Sequence, residues 1–166
     1  MTSKQYFKGI RMVYAGIIFG IVFMTGFAVY FRSNGFEMVE SGDNANFYIL
    51  ASVFFGVTGI FFSRFLFKKK LKSAAVASGL QKKLSIYQSA LILKLASLEA
   101  PLFLTIVIYL IMGNSMVLVV TGVLFVVFLT YLPTKAKLVA DLDLDGKEEA
   151  WVNNPDVELN ESAPRL

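Results

Sequence analysis

The sequence predicts an all-α, polytopic membrane protein: a bundle of four transmembrane helices followed by a short polar cytoplasmic tail. Three observations predict it. Of the 166 residues, 56% are hydrophobic and only 17% charged, whereas a soluble globule is about 45–50% apolar and about 25% charged. The chain also holds four apolar windows of the length needed to cross a bilayer, about 20 residues each. Finally, its cations cluster at alternate ends of those windows, the pattern that orients helices in a membrane.

The first window runs from about Met12 to Phe31. Its apolar stretch is roughly twice a typical secretory h-region and no small-x-small cleavage site precedes Arg32, so it reads as a retained helix. The second, Phe47 to Ser63, is the shortest. Arg64 interrupts it, but the Arg64 stem can snorkel to the interface while Phe65, Leu66 and Phe67 finish the helix at headgroup level. The third spans Leu91 to Met112 and, after a tight Gly113-Asn114 turn, the fourth spans Ser115 to Leu132. Residues 1–132 thus form the transmembrane domain and residues 133–166 an acidic tail.

Orientation follows from the cations. Lys4, Lys8 and Arg11 precede the first span, and Arg64, Lys68, Lys69, Lys70, Lys72, Lys82 and Lys83 follow the second with no acid among them. The connector from Arg32 to Asn46 has one cation against Glu37, Glu40 and Asp43. Lys and Arg near span ends are retained on the cytoplasmic side, which places both termini there. The seven connector cations read as lipid-headgroup contacts, and anionic lipid accounts for them without nucleic acid. The bilayer is that of a bacterial cytoplasmic (inner) membrane.

The tail carries eight acids against four cations. Asp145 and Glu148 have the spacing of a capping box, an acceptor at the helix start and a carboxylate three residues on, which predicts a short helix over about 146–152. Pro155 ends it, and the polar remainder to Leu166 is too poor in apolar residues to fold alone. Asp141, Asp143, Asp145 and Gly146 imitate the start of a calcium loop, but position 12 is Val152 where a bidentate Glu is needed. A short alternating extended segment is the better account of 141–145.

Chemistry is constrained as much by what is missing. The chain has no Cys and no His, which removes disulfides, thiol nucleophiles, Cys/His metal sites, His-ligated haem and His general bases. No metal site, cofactor or enzymatic activity is expected. The feature that stands out is Glu99, about eight residues or roughly 12 Å into the third span. A charge at the bilayer centre costs about 2.5–3.5 kcal/mol, so an intramembrane acid is a functional candidate by default. Lys94, five residues away, lies some 140° around the helix and does not pair with it. Gln88 shares the Glu99 face, and Pro101 deprives the Ser97 carbonyl of its usual donor, so Glu99, Gln88, Ser97 and Pro101 make the candidate ion or substrate site. A structural reading stands beside it: a neutral carboxyl bonded to Thr25, Thr58 or Thr121 on another helix.

The run Leu98-Glu99-Ala100-Pro101-Leu102-Phe103-Leu104-Thr105-Ile106-Val107 resembles the carboxylate helix of rotary ATPase proteolipid (c) subunits, with the same direction across the membrane. That likeness implies an ion-carrying Glu99. Its second span carries Ser52, Gly56 and Gly59 where a proteolipid ring has dense alternating glycines. More broadly, Ile86-Tyr87-Gln88-Ser89-Ala90, Leu132-Pro133-Thr134-Lys135 and Asp141-Leu142-Asp143-Leu144 resemble small four-span bacterial inner-membrane proteins. This implies the fold but no activity.

Gly16 with Gly20, Ser52 with Gly56 and Gly59 with Ser63 form small-xxx-small pairs that let helix backbones approach closely in lipid. They fit packing between the first two spans, or a homodimer. Two functions follow from the sequence: a non-enzymatic accessory or scaffold component of a membrane assembly, contacting another membrane protein through its tail and basic connector, or translocation of a proton, cation or small solute centred on Glu99.

Overall fold

The computed structural model describes residues 2–35 and 45–155. Among the described residues it is entirely helical: α1 Ser3–Ser33, α2 Ala45–Ala75, α3 Leu80–Met112, α4 Ser115–Leu129, α5 Lys135–Leu142 and α6 Gly146–Asn153. The acids Glu37, Glu40 and Asp43 and the tail beyond Pro155 lie outside the described residues.

Helices α1, α2 and α3 are each long and apolar enough to cross a membrane. At 1.5 Å per residue the 31 residues of α1 reach about 46 Å, well beyond the about 30 Å of a hydrocarbon core. All three outrun their apolar windows. α2 does not finish at Phe67 but continues through Lys68–Lys72 to Ala75, and α3 begins at Leu80, eleven residues before its window. Lys, Leu and Ala are strong helix formers, so the backbone stays helical where hydropathy falls. By contrast α4 stops at Leu129, three residues short of the expected span end. Its 15 residues reach only about 22 Å. Thr130 and Tyr131 turn back to Val127 O and Phe128 O, and Pro133 then forbids further helix.

The tail departs most from expectation. Asp141 and Leu142 are not extended but close α5, which starts at the Thr134 N-cap and ends at Asp143 in the left-handed conformation (φ 48°). The Asp143 N–H bonds Val139 O there. α6 carries the full capping box, Asp145 accepting from the Lys147 and Glu148 N–H groups and Glu148 reaching back to Asp145 N.

The chain divides into two compact units. Unit 1 comprises residues 1–14, 64–94 and 132–166 and unit 2 residues 15–63 and 95–131. In unit 1, α1, α2 and α3 contribute Tyr6, Phe67, Leu84 and Tyr87 to a core that Leu138 and Leu142 of α5 and Val152 of α6 complete. In unit 2 the buried ridge of α3, Leu95, Leu98, Leu102, Ile106 and Tyr109, repeats at helical spacing. Its outer surface is apolar, with Phe19, Phe54 and Phe61 among the exposed side chains.

Candidate functional site

Unit 2 shows how the small residues are used. A Cβ at Gly59 would collide with the Pro101 ring of α3, and one at Gly56 would lie 2.8 Å from the Leu124 side chain of α4. Glycine at these two positions allows α2 to approach both helices. At Gly16 and Gly20 a Cβ would meet nothing within 4 Å, so among the described residues this pair packs against no other helix. Ser52 and Ser63 are buried and donate to their own helix, to Tyr48 O and Ile60 O. The α3–α4 turn needs Gly113, whose φ of +65° is left-handed, and Asn114 then caps α4 through Met116 N.

Glu99 is half-buried, and its carboxyl has no hydrogen-bond or ion-pair partner among the described residues. It projects away from the buried ridge of α3, on the side of the exposed Ile92 and Ala96. The three threonines considered as partners are placed otherwise. Thr25 donates to Ile21 O and Thr58 is exposed. Thr121 bonds Thr105 Oγ1 at 2.9 Å, with Val117 O at the same distance, while Thr105 donates to Leu102 O. Nor do the other candidate residues gather around Glu99. Ser97 and Pro101 are each two residues away and face elsewhere, Pro101 toward Gly59. Gln88 is eleven residues and about 16 Å along the helix.

The denser polar constellation is in unit 1, whose connector cations the sequence assigns to lipid headgroups. Lys83 is not a free cation: its Nζ lies 2.8 Å from both carboxylate oxygens of Glu148, pinning α6 to α3. Ser3 Oγ donates to Val152 O at 2.5 Å and Lys4 N to Pro155 O at 3.3 Å, joining the start of α1 to the end of α6. Tyr6 donates to Leu84 O at 2.8 Å and Tyr87 to Asp141 Oδ2 at 3.2 Å. The Phe67 ring meets Tyr87 edge-on at 5.9 Å and takes the Lys94 ammonium at 4.1 Å from its centroid. Asp141, Lys137 and Arg64 are the charges within electrostatic reach of Lys94.

The three acids that imitate a calcium loop have separate tasks: Asp141 accepts from Tyr87, Asp143 ends α5 and Asp145 caps α6. The Glu148 N–H, with that of Lys147, holds the Asp145 carboxyl below its ordinary range. Tyr6, Phe67, Tyr87, Lys94 and Asp141 escaped sequence reading as a group because they come from four separated stretches. The one usable hint was Lys94, a cation inside an apolar window. Of the other connector cations, Lys68, Lys69, Lys70, Lys72 and Lys82 are exposed.

No protein-family model, curated protein or solved structure matches the chain.

Proposed function

We propose that this chain is a four-span protein of the bacterial cytoplasmic membrane, with both termini and the α2–α3 connector in the cytoplasm, acting as a non-enzymatic accessory or scaffold component of a membrane assembly. The observation that carries this reading is the construction of unit 1. Its helices α5 and α6 are bonded back onto α1 and α3 through Ser3, Lys83 and Tyr87, so residues 134–154 of the tail form a shaped surface. The exposed cations Lys68, Lys69, Lys70 and Lys72 on α2 supply a second surface of opposite charge. The 15 residues of α4 reach only about 22 Å, and a span shorter than the hydrocarbon core is accommodated by local thinning of the bilayer.

Translocation through Glu99 is the competing reading, favoured by the carboxyl's lack of a partner among the described residues. The two separate in one experiment on the full chain. Removal of residues 133–166 is expected to abolish co-purification of bound proteins from mild detergent, while Glu99→Gln leaves it intact. Loss of proteoliposome proton or cation flux in Glu99→Gln, with co-purification indifferent to the tail, would replace the scaffold reading with a conductor.

A further inference from the structure

Unit 1 has a groove of about 630 Å³ whose chemistry neither reading uses. It is lined by Lys4, Phe7, Lys8, Arg11 and Met12 of α1, by Lys135 of α5 and by Pro155 beyond α6. Lys4, Lys8 and Arg11 recur at i, i+4 and i+7, which places them on one face of the helix. Lys135 faces them, donating to Asn153 O at 3.1 Å and lying 5.7 Å from the Phe7 ring centroid. Phe7 is buried, whereas Lys4, Lys8 and Arg11 are exposed. No acid lines the groove, and Lys8 and Arg11 form no hydrogen bond or ion pair through their side chains among the described residues.

Four cations converging with no carboxylate among the described residues repel one another unless an anion joins them. Lys and Arg donors suit a phosphate, and Arg can grip two of its oxygens at once. The groove also has an apolar end: Met12 is 75% exposed and opens the apolar stretch of α1. We propose that this groove binds the phosphate headgroup of an anionic phospholipid, the acyl region beginning at Met12. The inference rests on the reading that α1 enters a membrane from its cytoplasmic face.

The test uses the full-length protein in mild detergent, with retained lipid counted by native mass spectrometry. The probes are phosphatidylglycerol, phosphatidylcholine and inorganic phosphate. Native protein is expected to retain phosphatidylglycerol over phosphatidylcholine, and inorganic phosphate should not displace it. Lys8→Gln/Arg11→Gln/Lys135→Gln should lower retention by about tenfold to a hundredfold, given the contribution of each cation beside anionic lipid. Lys69→Gln/Lys70→Gln/Lys72→Gln removes equal charge from α2, whose exposed cations meet headgroups without a groove, and should lower retention by about fivefold or less. The single variant Arg11→Gln, at an exposed position, should lose about fivefold and covers the case in which the triple variant misfolds. Equal losses in both triple variants, no preference between the lipids, or displacement by inorganic phosphate overturns the proposal. Alkaline carbonate extraction separates the premises: a chain released from membranes overturns the membrane reading itself, whereas a retained chain without lipid preference overturns only the groove.

Discussion

The two units are held together by different means. In unit 1, side chains bond across long stretches of sequence: Ser3 to Val152, Tyr6 to Leu84, Lys83 to Glu148 and Tyr87 to Asp141. In unit 2, Thr25, Ser52, Ser63 and Thr105 donate three or four residues back along their own helices. There, the contacts between helices include close approach at Gly56 and Gly59 and the hydroxyl pair Thr105–Thr121. On the proposed membrane reading, the difference follows from the two surroundings. Hydrocarbon offers no partner for a stray polar group, so polar side chains placed there would satisfy themselves locally and packing would supply the association. In an aqueous setting a polar bond between distant segments can define which segments belong together.

The comparison can be broken from either side. The largest effect is expected from Gly59→Leu, which forces a side chain onto the rigid Pro101 ring: unit 2 should lose about 3 kcal/mol or more, read as a lowered midpoint of unfolding in detergent, while unit 1 amides keep their exchange protection. Next is Lys83→Ala, which leaves a mostly buried Glu148 without its cation; about 1.5–3 kcal/mol should be lost, appearing as faster exchange in α6 and not in α4. Thr121→Val should cost about 0.6 kcal/mol, the usual size of an interhelical bond in lipid. Acidification should weaken the cap of α6. Because the folded Asp145 carboxyl is held below its ordinary range, its contribution is present above the unfolded value and disappears as pH falls through the lower folded one. Exchange protection of α6 should therefore drop at acid pH, and in Asp145→Asn that drop should shrink. The smallest effect is expected from Gly16→Ala, within about 0.5 kcal/mol because none of the described residues meets the new methyl. A clear loss at Gly16 that grows with protein concentration would instead reveal a homodimer seam.

How much of this was legible depended on the range of the signal. The apolar stretches of α1, α2 and α3 are stated locally by composition, and so is the Asp145–Glu148 capping box, whose two partners sit three residues apart. Helix ends were not legible where Lys-rich sequence continued a helix past its apolar window, as at Lys68–Lys72. α5 was hidden because the alternation of Asp141, Leu142, Asp143 and Leu144 imitates a strand, while its decisive signals are the Thr134 cap and the burial of Leu138 against unit 1. Around Glu99 the wheel placed Gln88 on the right face but could not say which way that face turns. The hydrogen bonds that tie unit 1 together, from Tyr87–Asp141 to Ser3–Val152, join residues 54 to 149 apart, which no local pattern encodes.

The central claim is that three separated stretches of chain form one unit on one side of a membrane. Because the chain contains no cysteine, single cysteines report sidedness without background. Gln5→Cys, Lys69→Cys and Lys147→Cys sample the three stretches, and Asn34→Cys samples the end of α1. In sealed inside-out vesicles, a membrane-impermeant maleimide should label the first three and spare Asn34→Cys, with the reverse in right-side-out cells. Labelling of Lys147→Cys together with Asn34→Cys, and opposite to Gln5→Cys, would contradict the account.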